Sequence, residues 1–262
     1  DYMNHVTRDA SYEEIWHLVH DYGIKPILPA MIAEMQKAND VATKNGWRGW
    51  PDDEPEEHPN EYVGVLIDNY YDLWEVHPTK YEGRPIKSGD IPEGHSHFGR
   101  YFANSRDKQR EKDPLGFAVI EKFFHPYLTY TPELPEDFMG TCSIQYDQSS
   151  RYTNKTQHLV NVTLTGSNNA NLSGNAYDNI LTGNAGDNIL RGGAGDDELH
   201  GADGMDTGVF SGAYSEYTVA MNEHVLTVTD GVTRRDGKDT LFFIETLQFS
   251  DQNVDLKQLT GK

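Results

Sequence analysis

The sequence repeats itself every nine residues between positions 165 and 209. The five segments read TGSNNANLS, GNAYDNILT, GNAGDNILR, GGAGDDELH and GADGMDTGV. Two columns stay nearly constant, one of leucine and one of glycine: Leu172, Leu181, Leu190 and Leu199, and Gly174, Gly183, Gly192 and Gly201. A single nine-residue turn cannot bury its leucine alone, so neighbouring turns must stack and bury the leucines together. The period therefore predicts a solenoid.

The glycine-rich half of each segment indicates a tight turn, because glycine readily takes positive φ. Such a turn directs its carbonyl oxygens and its sixth side chain into the gap between neighbouring turns. Oxygen ligands in a flexible cage suit Ca²⁺, which takes about six to eight of them. The sixth-position candidates are the carboxylates Asp197 and Asp206 and the neutral substitutes Asn179 and Asn188. The other calcium candidates are Gly183, Ala185, Gly192, Ala194, Gly201 and Asp203.

This repeat resembles the RTX, or hemolysin-type, calcium-binding pattern G-G-x-G-x-D-x-U-x, where U is a large apolar residue. Residues 192–200 fit every position of that pattern. In the family the fifth position points away from the metal, which here applies to Asp178, Asp187 and Asp196. The alternative is a surface of Gly-Asn-Asp turns that binds nothing. Against it, the five turns carry seven acids and one base, and such a stack would repel itself without cations.

The resemblance to RTX proteins extends over roughly residues 157–255, since residues 239–251 are similar to the family's ending "D-T-L…I-E…L-x-F-S-D". It implies a parallel β-roll that binds several Ca²⁺ ions and is closed by short antiparallel strands. It also implies a secreted, extracellular protein exported by type I secretion, with an uncleaved C-terminal signal. No cleavable signal peptide opens the sequence.

Composition limits the other partners. The formal net charge of −20 argues against nucleic acid and anionic membrane surfaces. No stretch approaches the roughly 20 apolar residues of a membrane span. At 262 residues the chain can hold two modest domains. We expect an α+β protein with a small, mostly helical domain over residues 1–144, a linker over 145–156, and the calcium-binding roll with its C-terminal cap and secretion-signal region over 157–262.

Helical spacing dominates the N-terminal part. Residues 11–14 form a capping box, and the apolar face that follows is expected in the core. That face consists of Ile15, Leu18, Val19 and Tyr22. Further helices are predicted from Pro29 to about Lys44, from Asn60 to about Trp74, and from Asp113 onward.

The opposite face of the first predicted helix brings Glu13, His17 and His20 close together at 100° per residue. This segment resembles the active-site helix of zincin metallopeptidases, closest to the lethal-factor-like group, whose helix reads H-E-x-x-H. The resemblance implies Glu14 as general base and His17 as a zinc ligand. Glu13 stands where the family has its first histidine.

Residues 60–65 are similar to a later helix of that group, which makes Glu61 the matching third zinc ligand. Tetrahedral zinc would require Glu13, His17 and Glu61 to meet within roughly 5 Å of one point. A solvated helix surface is the alternative. Two functions therefore stay open: a secreted, zinc-dependent peptidase acting on a peptide or protein substrate, or a non-catalytic extracellular binding module carried on the calcium-stabilised roll.

Overall fold

The chain divides into two compact units, Asp1–Pro126 and Tyr127–Lys262. The computed structural model describes residues 11–47, 58–72, 80–81, 84–85, 101, 103, 105–147, 156–222 and 225–257. Helices dominate the first unit and strands the second, which confirms the predicted α+β class. The predicted domain border at 144/145 differs from this division, because residues 127–144 lie within the second unit.

The first unit is built from helices of three to sixteen residues. They are α1 (Ser11–Val19), a π-helical turn (His20–Ile24), α2 (Lys25–Ile27), α3 (Pro29–Lys44), α4 (His58–Tyr70), α5 (Arg106–Lys112) and α6 (Pro114–Glu121). Strands β1 (Lys80–Tyr81) and β2 (Arg84–Pro85) pair antiparallel. The bounds predicted for α3 agree with the structure, whereas α4 ends at Tyr70 instead of near Trp74.

Helix α4 lies at the centre of the first unit's core, because Val63, Leu66 and Ile67 are almost fully buried. It is tied to α6 through Asp113, the N-cap of α6, whose carboxylate accepts hydrogen bonds from Tyr62, from Tyr101 and from the Gly116 backbone N–H. These donors satisfy a carboxylate that is fully buried.

Helix α1 presents the opposite face from the one predicted. Trp16 and His20 are buried, and the Trp16 ring lies 6.1 Å from that of Phe124 between centroids. The residues expected in the core are exposed instead: Ile15, Leu18, Val19 and Tyr22, the last by 80%. The indole is the largest apolar group on the helix, so burying it outweighs the aliphatic stripe on the other side. The predicted core face was therefore wrong.

The second unit contains two sheets, through which consecutive repeats alternate. One sheet contains the parallel strands β3 (Glu133–Leu134), β5 (Asn161–Leu164), β7 (Ile180–Thr182) and β9 (Glu198–His200). The other contains the parallel strands β4 (Gly140–Ser143), β6 (Ala170–Ser173), β8 (Ile189–Arg191) and β10 (Thr207–Val209).

The leucine column is consequently split between the sheets. Leu181 pairs with Leu199 in one sheet, and Leu172 pairs with Leu190 in the other. Each of these four side chains is at most 2% exposed. Parallel strands need a crossover connection, and here the neighbouring repeat, lying in the other sheet, supplies it. The sequence period is nine residues, but the structural turn takes two repeats.

Strands outside the repeats extend both sheets. β13 (Lys238–Phe242) continues parallel to β9, and β14 (Thr246–Gln248) continues parallel to β10. Three further strands are antiparallel to their neighbours: β11 (Tyr217–Asn222), β12 (Val225–Asp230) and β15 (Asn253–Asp255). Before the repeats, β3 and β4 lie in the segment that the sequence assigned to the helical domain. Most of the predicted linker, residues 148–155, lies outside the described residues.

Candidate calcium site

The side chains at the sixth repeat position lie where the chain passes from one sheet to the other. Asn179, Asn188, Asp197 and Asp206 are each at most 1% exposed. The fifth-position residues Asp178, Asp187 and Asp196 are exposed. Because the turns stack, residues eighteen positions apart face each other. The sixth-position residues therefore form two ladders, one along each of the two sides on which the chain crosses between the sheets.

Each ladder is held by backbone-to-carboxylate hydrogen bonds. In the first ladder, Asn179 N–H donates to Asp197 Oδ1 at 2.7 Å, and Asp197 N–H donates to Asp239 Oδ1 at 3.1 Å. In the second ladder, Asn188 N–H donates to Asp206 Oδ1 at 2.8 Å, and Asp206 N–H donates to Glu245 Oε2 at 2.8 Å. Both ladders thus end on a carboxylate that lies beyond the nine-residue repeats.

Asp239 and Glu245 are the residues that sequence reasoning did not assign to the site. Asp197 and Asp239 are 42 positions apart instead of eighteen, because the β11–β12 hairpin lies between them. The D-T-L and I-E strings of the C-terminal part were the signal that could have identified them, since Asp239 opens the first string and Glu245 closes the second.

In the part of the chain that the structure describes, one oxygen of each sixth-position aspartate lacks a hydrogen-bond donor. Among the described residues, Asp197 Oδ2 and Asp206 Oδ2 are buried and have no hydrogen-bond partner. They lie against Gly192 and Gly201, the first residues of their own turns, where a Cβ atom would overlap them. A buried carboxylate oxygen without a donor is costly, unless a cation satisfies it.

The backbone brings further oxygens to the same gaps. The Gly192 carbonyl oxygen lies against Gly174, and the Gly201 carbonyl oxygen lies against Gly183, so close that a Cβ on either partner glycine would collide with it. Of the other backbone candidates, Gly183 is buried, Ala194 is half-buried, and Ala185 and Asp203 are exposed at their turn positions. Carboxylate and carbonyl oxygens are the donor set that Ca²⁺ takes.

The electrostatics of the ladders also fit a cation. Burial raises the pKa of Asp197 to about 7, that of Asp206 to about 6 and that of Asp239 to about 9. Neighbouring carboxylates add to each shift, including Asp197 acting on Asp239. A divalent cation between the ladder residues would favour their ionised form and remove this mutual repulsion. The residues present therefore fit bound calcium.

The predicted zinc ligands are brought together only in part. His17 Nε2 lies 3.4 Å from Glu61 Oε1, with both side chains partly exposed. His20 is buried and its Nδ1 lies 2.9 Å from Asp21 Oδ1. The side chains of Glu13 and Glu14 lie outside the described residues. Within the described part of the chain, no group of three His, Cys, Asp or Glu side chains that could hold a metal ion was found, so zinc has no complete ligand set there. The calcium ladders differ, because they combine pairs of carboxylates with backbone carbonyl oxygens.

Comparison with known proteins points to the same repeats. A family model of the RTX calcium-binding nonapeptide repeat matches residues 173–207 in four copies. No curated protein and no solved structure matches the chain. The match confirms the predicted RTX repeats over these residues and supports a calcium-binding protein, whereas the zincin resemblance of the N-terminal part is without support. Among the described helices, none is long and apolar enough to cross a bilayer.

Proposed function

We propose that the second unit is a calcium-stabilised β-roll in which the ions lie between stacked turns at both edges of the sheets. The buried, unpartnered Oδ2 atoms of Asp197 and Asp206 carry this proposal. In each aspartate, Oδ1 is held by a backbone N–H of the turn before, which fixes the carboxylate plane. That hydrogen bond leaves Oδ2 as the free ligand.

The strongest sites lie where two carboxylates share one gap. Asp197 faces Asp239 in the first ladder, and Asp206 faces Glu245 in the second. Calcium affinity rises with the number of charged ligands, so these two gaps bind more tightly than the gaps that contain one aspartate and one asparagine. Bound Ca²⁺ supplies positive charge there and stabilises the folded state by mass action.

Calcium titration of substituted chains tests the assignment. Asp197→Asn and Asp206→Asn keep the size of the side chain and remove its charge, so each should weaken the tightest calcium binding at least tenfold, about 1.4 kcal/mol. Isothermal titration calorimetry measures this change. Asp187→Asn is the matched control, because that residue is an exposed fifth-position aspartate. Equal calcium affinity for Asp197→Asn and the control would remove Asp197 from the site.

Secretion is the cellular setting that this function favours. Millimolar extracellular Ca²⁺ would saturate weak sites, and repeats of this kind are typical of secreted proteins. The proposal includes export by type I secretion before the chain has folded, after which the calcium-dependent turns fold when they meet calcium. Type I export can be measured for the full chain and for a chain that lacks residues 236–262. Loss of export in the shortened chain would show that the C-terminal part directs export.

A second candidate is metal-dependent peptidase activity in the first unit. The short distance between His17 and Glu61 favours it, because a zinc ion needs ligands from both α1 and α4. Zinc analysis of the purified protein tests it: stoichiometric zinc that is lost in His17→Ala supports an enzyme with Glu14 as general base. Calcium as the only bound metal leaves a non-catalytic extracellular binding module.

A further inference from the structure

Two buried asparagines occupy the second position of their repeats. Asn175 and Asn184 are 5% and 7% exposed. They lie in successive repeats, so that Asn175 lies beside Asn179 of the first ladder and Asn184 beside Asn188 of the second. The next two repeats have Gly193 and Ala202 at this position, both at positive φ, 106° and 77°. The second position therefore has an amide side chain in the second and third repeats, here called the early turns, and none in the fourth and fifth, the later turns; the first repeat has Gly166 there.

The amide nitrogen of each asparagine donates two hydrogen bonds to the turn before it. Asn175 Nδ2 donates to the carbonyl oxygens of Gln157 and Leu159, at 3.0 and 2.8 Å. Asn184 Nδ2 donates to the carbonyl oxygens of Thr165 and Asn168, at 2.9 and 3.1 Å. Because a carbonyl oxygen can only accept, the group facing each pair must be the NH₂.

The oxygen of each amide is satisfied from its own turn. Asn175 Oδ1 accepts from Tyr177 N–H and from Asn179 Nδ2. Asn184 Oδ1 accepts from Gly186 N–H and from Asn188 Nδ2. The same arrangement at both edges of the sheets makes it a property of the repeat and not of one loop.

The sixth-position oxygens differ between the early and the later turns in the same way. Asn179 Oδ1 accepts from Asn175 N–H, and Asn188 Oδ1 accepts from Asn184 N–H, both at 2.8 Å. In the later turns, the corresponding oxygens are Asp197 Oδ2 and Asp206 Oδ2, which have no donor among the described residues. The early turns thus satisfy all these polar groups with protein atoms, while the later turns do not.

We propose that Asn175 and Asn184 replace calcium in the first gap of each ladder, which lies between the turn that contains the asparagine and the turn about eighteen residues before it. The early turns then fold without metal, and the later turns require it. Each NH₂ takes two carbonyl oxygens that a cation in that gap would need as ligands. The metal-free turns then present Asn179 N–H and Asn188 N–H to the next turn, which positions Asp197 and Asp206 before calcium arrives. The inference rests on the proposed calcium function and defines where in the stack that function begins.

Hydrogen exchange on the full chain tests the division. In the early turns, Ile180 N–H donates to the Val160 carbonyl across a gap that contains Asn175. In the later turns, Thr240 N–H donates to the Asp197 carbonyl across a gap between two carboxylates. We expect peptides covering residues 160–182 to exchange slowly both in chelator and in calcium. Peptides covering residues 238–248 should exchange at least tenfold faster in chelator.

The possible results separate the two proposals. If the residues 160–182 lose their protection in chelator together with the later turns, the metal-free division is wrong while calcium binding stands. If calcium changes the exchange of neither segment, the calcium function itself is wrong.

A substituted chain tests the role of the two amides directly. The double substitution Asn175→Ala and Asn184→Ala should accelerate exchange of residues 160–182 in chelator at least tenfold. Asn161→Ala is the control, because Asn161 Nδ2 makes a single exposed hydrogen bond of 3.3 Å to the Thr129 carbonyl. Equal exchange in the double variant and the control would overturn the assignment. Should the double variant not fold, the comparison of the two wild-type segments still decides the division.

Discussion

Asp113 in the helical unit and Asp197 and Asp206 in the repeat unit are buried carboxylates that are stabilised in different ways. In the helical unit, Asp113 accepts hydrogen bonds from two tyrosine hydroxyls and one backbone N–H. In the repeat unit, Asp197 and Asp206 each keep one buried oxygen without a donor among the described residues. A carboxylate that the protein satisfies by itself is a structural group. One that it leaves unsatisfied is stabilised by a proton or by a ligand from outside, and here the sequence repeat, the geometry and the family match all point to calcium.

The largest expected difference between the units is their response to a chelator. Removing calcium should cost the repeat unit about 4 kcal/mol when free calcium had been about 1,000 times the Kd. The four tryptophans all precede residue 75, so their fluorescence reports the helical unit alone. We expect the circular dichroism signal of the strands to melt earlier in chelator while the tryptophan transition stays unchanged. A tryptophan transition that shifts equally would contradict separate stabilisation.

Substitution of Asp113 should have the next largest effect, and it should be confined to the helical unit. Asp113→Ala leaves the buried hydroxyls of Tyr62 and Tyr101 without this acceptor, which costs about 2–3 kcal/mol. The measurement is the denaturant midpoint followed by tryptophan fluorescence, with and without calcium. Asp107→Asn is the control, because Asp107 is 90% exposed and pairs with Arg110 on the same helix turn. A loss that depends on calcium would show that the units are coupled.

The pH dependence of the repeat unit should change sign with calcium. Burial raises the folded-state pKa of Asp197 to about 7 and that of Asp206 to about 6, above the value of about 4 in an unfolded chain. In chelator, the stability that these two protonated carboxyls contribute is therefore fully present below about pH 4 and is lost as the pH rises through 6 and 7. In calcium, deprotonation favours binding, so stability should rise over the same range. Thermal melts at pH 5, 6.5 and 8 in each condition measure both slopes.

The smallest expected effect distinguishes neighbouring positions of one turn. Asp196 is exposed and its Oδ1 accepts from Lys238 N–H at 2.9 Å. Asp196→Asn keeps this acceptor, so the free energy of unfolding in calcium should change by less than about 0.5 kcal/mol. Chemical denaturation beside Asp197→Asn, the adjacent sixth-position substitution, checks it. Similar losses for the two variants would remove the distinction between outward and inward aspartates.

The repeat unit was the more predictable of the two, because its residues interact with others at a fixed spacing. The nine-residue period indicated stacked turns, and the structure buries the leucines and the sixth-position side chains that the period singled out. The period did not reveal that Leu181 and Leu190 belong to different sheets. Nor did it reveal Asp239 and Glu245, since an inserted hairpin interrupts the register before them.

The helical unit was less predictable because a short helix offers two plausible inward faces. Ile15, Leu18 and Val19 have the regular apolar spacing, but Trp16 and His20 on the other side are buried. A π-helical turn follows at His20–Ile24 and changes the angular phase of the chain, so spacing at 100° per residue no longer applies beyond Val19. The contact of α1 with α4 through His17 and Glu61 was nevertheless anticipated from the motif, although the sequence could not establish a metal there.

The antiparallel strands at the C-terminal end have a consequence for solubility. A stack of parallel turns presents open edges to which another copy could add, and repetition of such a contact makes fibres. Here β15 runs opposite to the parallel strands of its sheet, and β11 ends the antiparallel β11–β12–β13 meander, so the stack of nine-residue turns is not continued at this edge. The C-terminal strands therefore reduce the tendency of a stack of repeats to add the repeats of another copy at this edge.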